Sequence, residues 1–104
     1  MTTEVEGRLQ RALVVPLVHA DNPETAVQIT RALIAGGLTV VEVMLRTPEA
    51  LACLLEVASS VPEACVGAGT VLTADQARDA IDAGAAFIVS PGLDDGVVDV
   101  AQSA

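Results

Sequence analysis

The sequence has no lysine, no tryptophan and no tyrosine, and only one phenylalanine (Phe87) and one histidine (His19) in 104 residues. Its five basic residues are all arginines: Arg8, Arg11, Arg31, Arg46 and Arg78. Chemistry that needs a side-chain primary amine is therefore closed to this chain alone. Against 14 Asp and Glu, for a net charge of −9, the scattered arginines make no basic patch able to displace counterions from a phosphate backbone, so no nucleic-acid partner is expected. Long apolar runs are missing too: although 52% of residues are hydrophobic, Gly, Pro or an acid interrupts each run well before the ~18 to 20 residues of a membrane span. Glu4 and Glu6, with no apolar core before Val14, are not the order of a signal peptide, and the expected location is the cytoplasm. Cys53 and Cys65 have no CxxC spacing and only His19 to join them, short of the roughly four ligands of a structural zinc site. No metal is expected, and both thiols read as small buried apolar residues. The length allows one domain, residues 1–104.

What is present is a repeat. Short β-branched runs at Val14–Val18, Thr39–Leu45, Ala64–Ala68 and Ala86–Ser90 start 25, 25 and 22 residues apart and alternate with segments of helical period. Asn22 before Pro23 marks a helix start, Ala26, Ile29 and Leu33 line one face, and Gly36 and Gly37 end it. Thr47 and Pro48 predict a second start, with Leu51, Leu54, Leu55 and Ala58 as its buried stripe before Val61 and Pro62. Thr73 and Gln76 have capping-box spacing ahead of Ala74, Ala77 and Ile81, and Gly84 stops that helix. A weaker helix is expected from Asp94 or Asp95 to Gln102, and another over Thr3–Ala12 before the first strand. Apolar strands joined by helical crossovers are parallel and covered by helices. A doubly wound sheet would announce itself by a glycine-rich turn after its first strand, but here that turn is His19-Ala20-Asp21-Asn22. The leucine-rich pattern of a solenoid is also absent. The expected fold is α/β: four parallel strands of (βα) repeats forming half of a TIM (βα)8 barrel, with an extra N-terminal helix. Half a barrel leaves two strand edges and an inner sheet face open, which predicts association rather than a persistent monomer.

Glu42 stands in the run Val40-Val41-Glu42-Val43-Met44-Leu45. Burying a carboxylate there raises its pKa toward the range of a general base near neutral pH; a solvent-facing or arginine-paired strand carboxylate is the other reading. Alternation puts Glu42, Met44 and Arg46 on one face, with Val41, Val43 and Leu45 toward the helices. Four residues at ~3.3 Å each separate Glu42 and Arg46 by about 13 Å, room for a small anion rather than an ion pair. Arg46 ends its strand, where barrel sites are built and where a planar guanidinium suits carboxylate or phosphate; a surface arginine opening a loop fits equally. In Val66-Gly67-Ala68-Gly69-Thr70-Val71 the glycines allow close approach of a ligand or serve a turn, and the Thr70 hydroxyl is a donor for a substrate oxygen. Ser90-Pro91-Gly92 reads as a turn, His19 as an exposed or satisfied histidine, and Asp94 and Asp95 as a helix start.

Four collinear segments, Val14-Val15-Pro16-Leu17-Val18, Ala35-Gly36-Gly37-Leu38 running into Val41–Thr47, Val66–Leu72, and Ile88-Val89-Ser90-Pro91-Gly92-Leu93, resemble the N-terminal half of the 2-keto-3-deoxy-6-phosphogluconate (KDPG) and 4-hydroxy-2-oxoglutarate (KHG) aldolases. The resemblance covers the chain from about residue 8. It implies a lyase of carbohydrate metabolism, on the Entner–Doudoroff route, that is an oligomeric (βα)8 barrel. Such an enzyme cleaves a 2-keto-4-hydroxy acid to pyruvate and an aldehyde through a Schiff base, without metal or cofactor. It further implies Glu42 as general acid/base and Arg46 and Thr70 as substrate-binding residues. The Schiff-base lysine and the glycine-rich phosphate site have no counterpart here, so the chain alone is expected to be inactive. Its expected partners are a small 2-keto acid, further copies of itself, or a C-terminal half. The alternative is a non-catalytic half barrel that self-associates and at most binds small anions. A half of some other phosphate-binding isomerase or synthase barrel is not supported by the Glu42 and Arg46 spacing.

Overall fold

Val40–Met44 is an uninterrupted stretch dominated by β-branched residues, and in the computed structural model, which describes residues 3–104, it forms a central strand. In chain order the elements are α1 (Thr3–Arg11), β1 (Leu17–Val18), α2 (Pro23–Ala35), β2 (Val40–Met44), α3 (Ala50–Ser60), β3 (Cys65–Gly69), α4 (Ala74–Asp82), β4 (Phe87–Ile88) and α5 (Asp95–Ser103). The four strands are parallel and lie side by side in the order β1-β2-β3-β4. This is the predicted half of a (βα)8 barrel with its additional N-terminal helix.

Three helix starts follow from the expected caps. The Asn22 side chain accepts from Thr25 N at 2.9 Å with Pro23 in the first helical turn, Thr73 accepts from Gln76 N at 3.1 Å, and Asp94 accepts from Val97 N at 3.0 Å. Gln76 reaches back to accept from Leu72 N at 2.8 Å, which completes a capping-box-like pair. Gly37 (φ +94°) and Gly84 (φ +107°) end α2 and α4 in the left-handed region.

Other boundaries differ from the expectation. Residues Thr47–Glu49 form a turn, with Ala50 N donating to Thr47 O at 3.2 Å, so α3 begins at Ala50. Its buried stripe is Ala50, Cys53, Leu54 and Val57, while Leu51 and Leu55 are exposed. Leu54 belongs to both stripes; the true one is turned by one residue, which aims it at β2 and β3. The outer strands are shorter than predicted because each has one neighbour. Leu13 and Val14 are exposed, and β1 starts after Pro16, whose carbonyl accepts from Glu42 N at 3.0 Å. Beyond β4 the pairing continues through Val89 N to Ala68 O (2.8 Å).

The two faces of the sheet bury different things. Val18, Val41, Val43, Val66 and Ala68 point to the outer face, where they meet Ala26, Leu54, Val57, Ala77, Ala80 and Val97 from α2 to α5. The buried Thr30 hydroxyl donates to Ala26 O at 2.8 Å. The inner face carries Val40, Cys65 and Phe87, packed with Val5 and Leu9 of α1 and with Ala12 just beyond it. Arg8 fastens α1 there by donating to Glu63 O (2.9 Å) and Thr39 O (3.3 Å), the carbonyls that lead into β3 and β2. Helix α1 thus closes the N-terminal end of the inner face and leaves the C-terminal end open. Among the described residues, no helix is long and apolar enough to cross a membrane.

Candidate active site

The inner face of β3 is almost bare. Its inward positions are Cys65, Gly67 and Gly69, because Val66 and Ala68 point to the helices. Side chains from both neighbouring strands fold over this gap. A Cβ on Gly67 would fall within the Phe87 ring from β4, and a Cβ on Gly69 would collide with the Glu42 carboxylate from β2. Neither glycine has a positive φ. The expected turn or space for a ligand is in fact space for two side chains of the protein itself.

Glu42 is paired across the sheet with Gly67, yet its carboxylate lies over Gly69, the partner of Met44. It therefore leans two residues toward the C-terminal end of the sheet, about half of the ~13 Å backbone span to Arg46. Burial pushes its pKa above the ordinary carboxylate value. Among the described residues it has no ion-pair or hydrogen-bond partner, and no buried side-chain oxygen is left unpartnered, so the carboxylate retains contact with solvent. Of the second reading's two forms, the arginine pair is not formed among the described residues, whereas contact with solvent is kept.

Thr70 follows Gly69 directly and has φ +58°. A β-branched residue in the left-handed region is strained, and such strain persists where surrounding structure holds it. Leu45 N donates to Gly69 O at 2.8 Å, so the ends of β2 and β3 stay together and Arg46 and Thr70 emerge side by side. Arg46 is exposed. Arg8, Arg31 and Arg78 are each committed to backbone carbonyls or to Asp75, whereas the Arg46 guanidinium has no partner among the described residues.

The remaining candidates fall outside this cluster. His19 is exposed, and Ser90 donates to Gly92 O at 2.8 Å within its turn. Burial, reinforced by Glu49 and Asp21, raises the Cys53 thiol, and burial raises Cys65 against the opposing pull of Arg8. Neither is a thiolate nucleophile at neutral pH. A cavity of about 320 Å³ opens between Arg8, Arg11, Leu13 and Leu38, at the opposite end of the strands from Arg46 and Thr70.

A parallel sheet wrapped by helices on one face, with its polar side chains gathered on the other at the strand C-termini, is the layout of a (βα)-barrel enzyme. The particular family follows from comparison: the chain belongs to the KDPG and KHG aldolases, whose family model matches residues 5–104. It is 46% identical over 91 residues to the KHG/KDPG aldolase of Escherichia coli K12, covering 88% of this chain and 43% of that enzyme. A crystal structure of the KDPG aldolase of Zymomonas mobilis with 3-phosphoglycerate superimposes with a TM-score of 0.86 at 40% identity, over 99% of this chain and 49% of that one. The Legionella pneumophila KDPG aldolase, with pyruvate captured as a covalent carbinolamine, gives 0.88 at 35% identity over 98% and 50%. The chain spans about half the length of the curated relatives it matches.

Proposed function

We propose that this chain, as a single half-barrel segment, supplies the acid–base and carboxylate-binding part of a class I aldolase site. The reaction is cleavage of KDPG or KHG to pyruvate and an aldehyde, in the cytoplasm and without metal or cofactor. The observation that carries the reading is the Glu42 carboxylate, half-buried over Gly69 and beside Thr70 at the C-terminal end of the sheet. A carboxylate with a raised pKa can take the proton from the substrate's 4-hydroxyl as the C3–C4 bond breaks and return a proton to C3. Arg46, unpartnered at the rim, and the Thr70 hydroxyl hold the anionic substrate. The amine that forms the Schiff base and accepts the bonding electrons comes from outside these 104 residues, which contain no lysine. Without it the chain makes no pyruvate, because a general base contributes about 10² to 10⁴ and does not substitute for an electron sink.

Mixing the chain with a separately produced C-terminal half that bears a strand lysine tests this. Pyruvate formation is expected from the mixture and is expected to fall about 10² to 10⁴-fold with Glu42→Gln. Borohydride trapping of pyruvate on the chain alone, or full activity of the Glu42→Gln mixture, overturns it. One observation favours a second reading, the self-associating half barrel: among the described residues β1 and β4 each have a single strand neighbour, and Leu17 of β1 and Val89 just past β4 are exposed. A tight homodimer indifferent to the C-terminal half selects that reading.

A further inference from the structure

Phe87 is the single aromatic residue of the chain, and its ring does not simply fill core. It crosses from β4 onto the neighbouring strand and occupies the space where a side chain at Gly67 would stand. Gly67 is the direct cross-strand partner of Glu42. A ring at that point stands one strand spacing, about 4.8 Å, from the base of the Glu42 side chain. The sideways route is closed, and the next free space on the inner face is over Gly69, where the carboxylate lies. From the other side the ring is held by the cluster with Val40, Cys65 and, on α1, Val5 and Leu9.

We infer that Phe87 is a positioning residue for Glu42: by filling the gap over Gly67 it forces the carboxylate up over Gly69 to the end of the sheet where Thr70 and Arg46 emerge. Gly67 and Gly69 act with it, one admitting the ring and the other the carboxylate. Ring and bare backbone also take water away from one side of the carboxylate, in keeping with the upward direction of its pKa. The consequence for catalysis rests on the aldolase reading above, whereas the position itself is read without any activity.

The test follows the Glu42 carboxyl carbon by NMR as a function of pH in the intact chain. Phe87→Ala opens the sideways space, and the Glu42 titration midpoint is expected to fall toward the ordinary carboxylate value. Adding Gly67→Ala to Phe87→Ala puts a methyl group back into the vacated space and is expected to recover part of the shift. Leu54→Ala, which opens a cavity on the opposite face of the sheet, separates positioning from loss of packing: its midpoint is expected to stay at the wild-type value. Equal shifts in Phe87→Ala and Leu54→Ala, or none in Phe87→Ala, overturn the inference. Should Phe87→Ala fail to fold, Phe87→Leu, with less reach over Gly67, is expected to shift the midpoint in the same direction, and an unmoved midpoint there overturns it too. If the midpoint moves as expected but the chain never complements a C-terminal half, the positioning stands and the aldolase reading fails.

Discussion

Gly67→Ala and Gly69→Ala add the same methyl group to the same strand, two residues apart, yet the structure predicts opposite outcomes for stability and function. At position 67 the new Cβ meets the Phe87 ring, which is 5% exposed and packed among Val40, Cys65 and α1. Moving a ring so buried disturbs the packing around it, so overpacking costs about 1–3 kcal/mol. At position 69 the methyl group meets the far end of the Glu42 side chain, which can rotate into solvent. One unfavourable rotamer costs about 0.5–1.5 kcal/mol, and the lower chain entropy of Ala relative to Gly returns about 0.5–1 kcal/mol. The net change in stability at position 69 is therefore within about 1 kcal/mol of zero. With no Trp or Tyr to report by fluorescence, far-UV circular dichroism of the five helices in urea is the suitable assay. At about 1–3 kcal/mol per molar urea, Gly67→Ala is expected to lower the midpoint by roughly 1 M and Gly69→Ala hardly at all. Activity on mixing with a C-terminal half is expected to invert this order in severity, because Gly69→Ala expels the carboxylate from the site. Equal midpoint shifts, or full activity in Gly69→Ala, would refute the reasoning.

Three further predictions rest on other parts of the molecule. Thr70→Gly removes the penalty of φ +58° and is expected to stabilise the chain by about 1 kcal/mol in the same urea assay, at the expense of substrate binding. Glu42 has a folded pKa raised by burial, so its contribution to stability is fully present below the ordinary carboxylate pKa and is lost as pH rises through the folded value. Glu42→Gln is accordingly expected to be more stable than the parent at pH 7, with the gap closing as the pH is lowered past the ordinary Glu value; a gap independent of pH contradicts the cause given for the shift. Arg8→Ala removes the two hydrogen bonds that pin α1 to the carbonyls of Thr39 and Glu63. It is expected to cost about 1–3 kcal/mol and to speed hydrogen exchange in α1 before it does so in β2.

Local signals were legible in the sequence wherever they depended on residues a few positions apart. Asn22, Thr73 and Asp94 cap their helices because a side-chain oxygen and an amide three residues on need nothing else. The face of β2 that carries Glu42 was readable from alternation alone. Thr47 and Pro48 misled because the same pair can begin a helix or shape the turn before one, and the choice is made by how α3 docks on the sheet. The stripes through Leu51 and Leu55 and through Ala50, Cys53 and Val57 differ by one residue of rotation, and period does not distinguish them. The meaning of Gly67 and Gly69 was out of reach: it depends on Phe87, 20 residues beyond Gly67, and on Glu42 from another strand. Neither the placement of the Phe87 ring nor the left-handed backbone of Thr70 has a local signal in the sequence. A lone aromatic on the strand that follows two alternate glycines, in register with the first of them, is the signal for Phe87.

The partners of the arginines shape the field that an approaching anion meets. Three of the five are tied to carbonyls or to Asp75, and Arg11 lies at the far end of the sheet, so Arg46 is a single exposed positive charge at the C-terminal rim of a molecule with net charge −9. An approaching anion is repelled by the molecule as a whole and attracted only within the last ~10 Å, about one screening length at 0.1 M salt. Added salt removes the long-range repulsion before it weakens the short-range contact. Moderate ionic strength should therefore speed anion capture by this half barrel, the reverse of the dependence shown by sites that gather their ligands with a positive field.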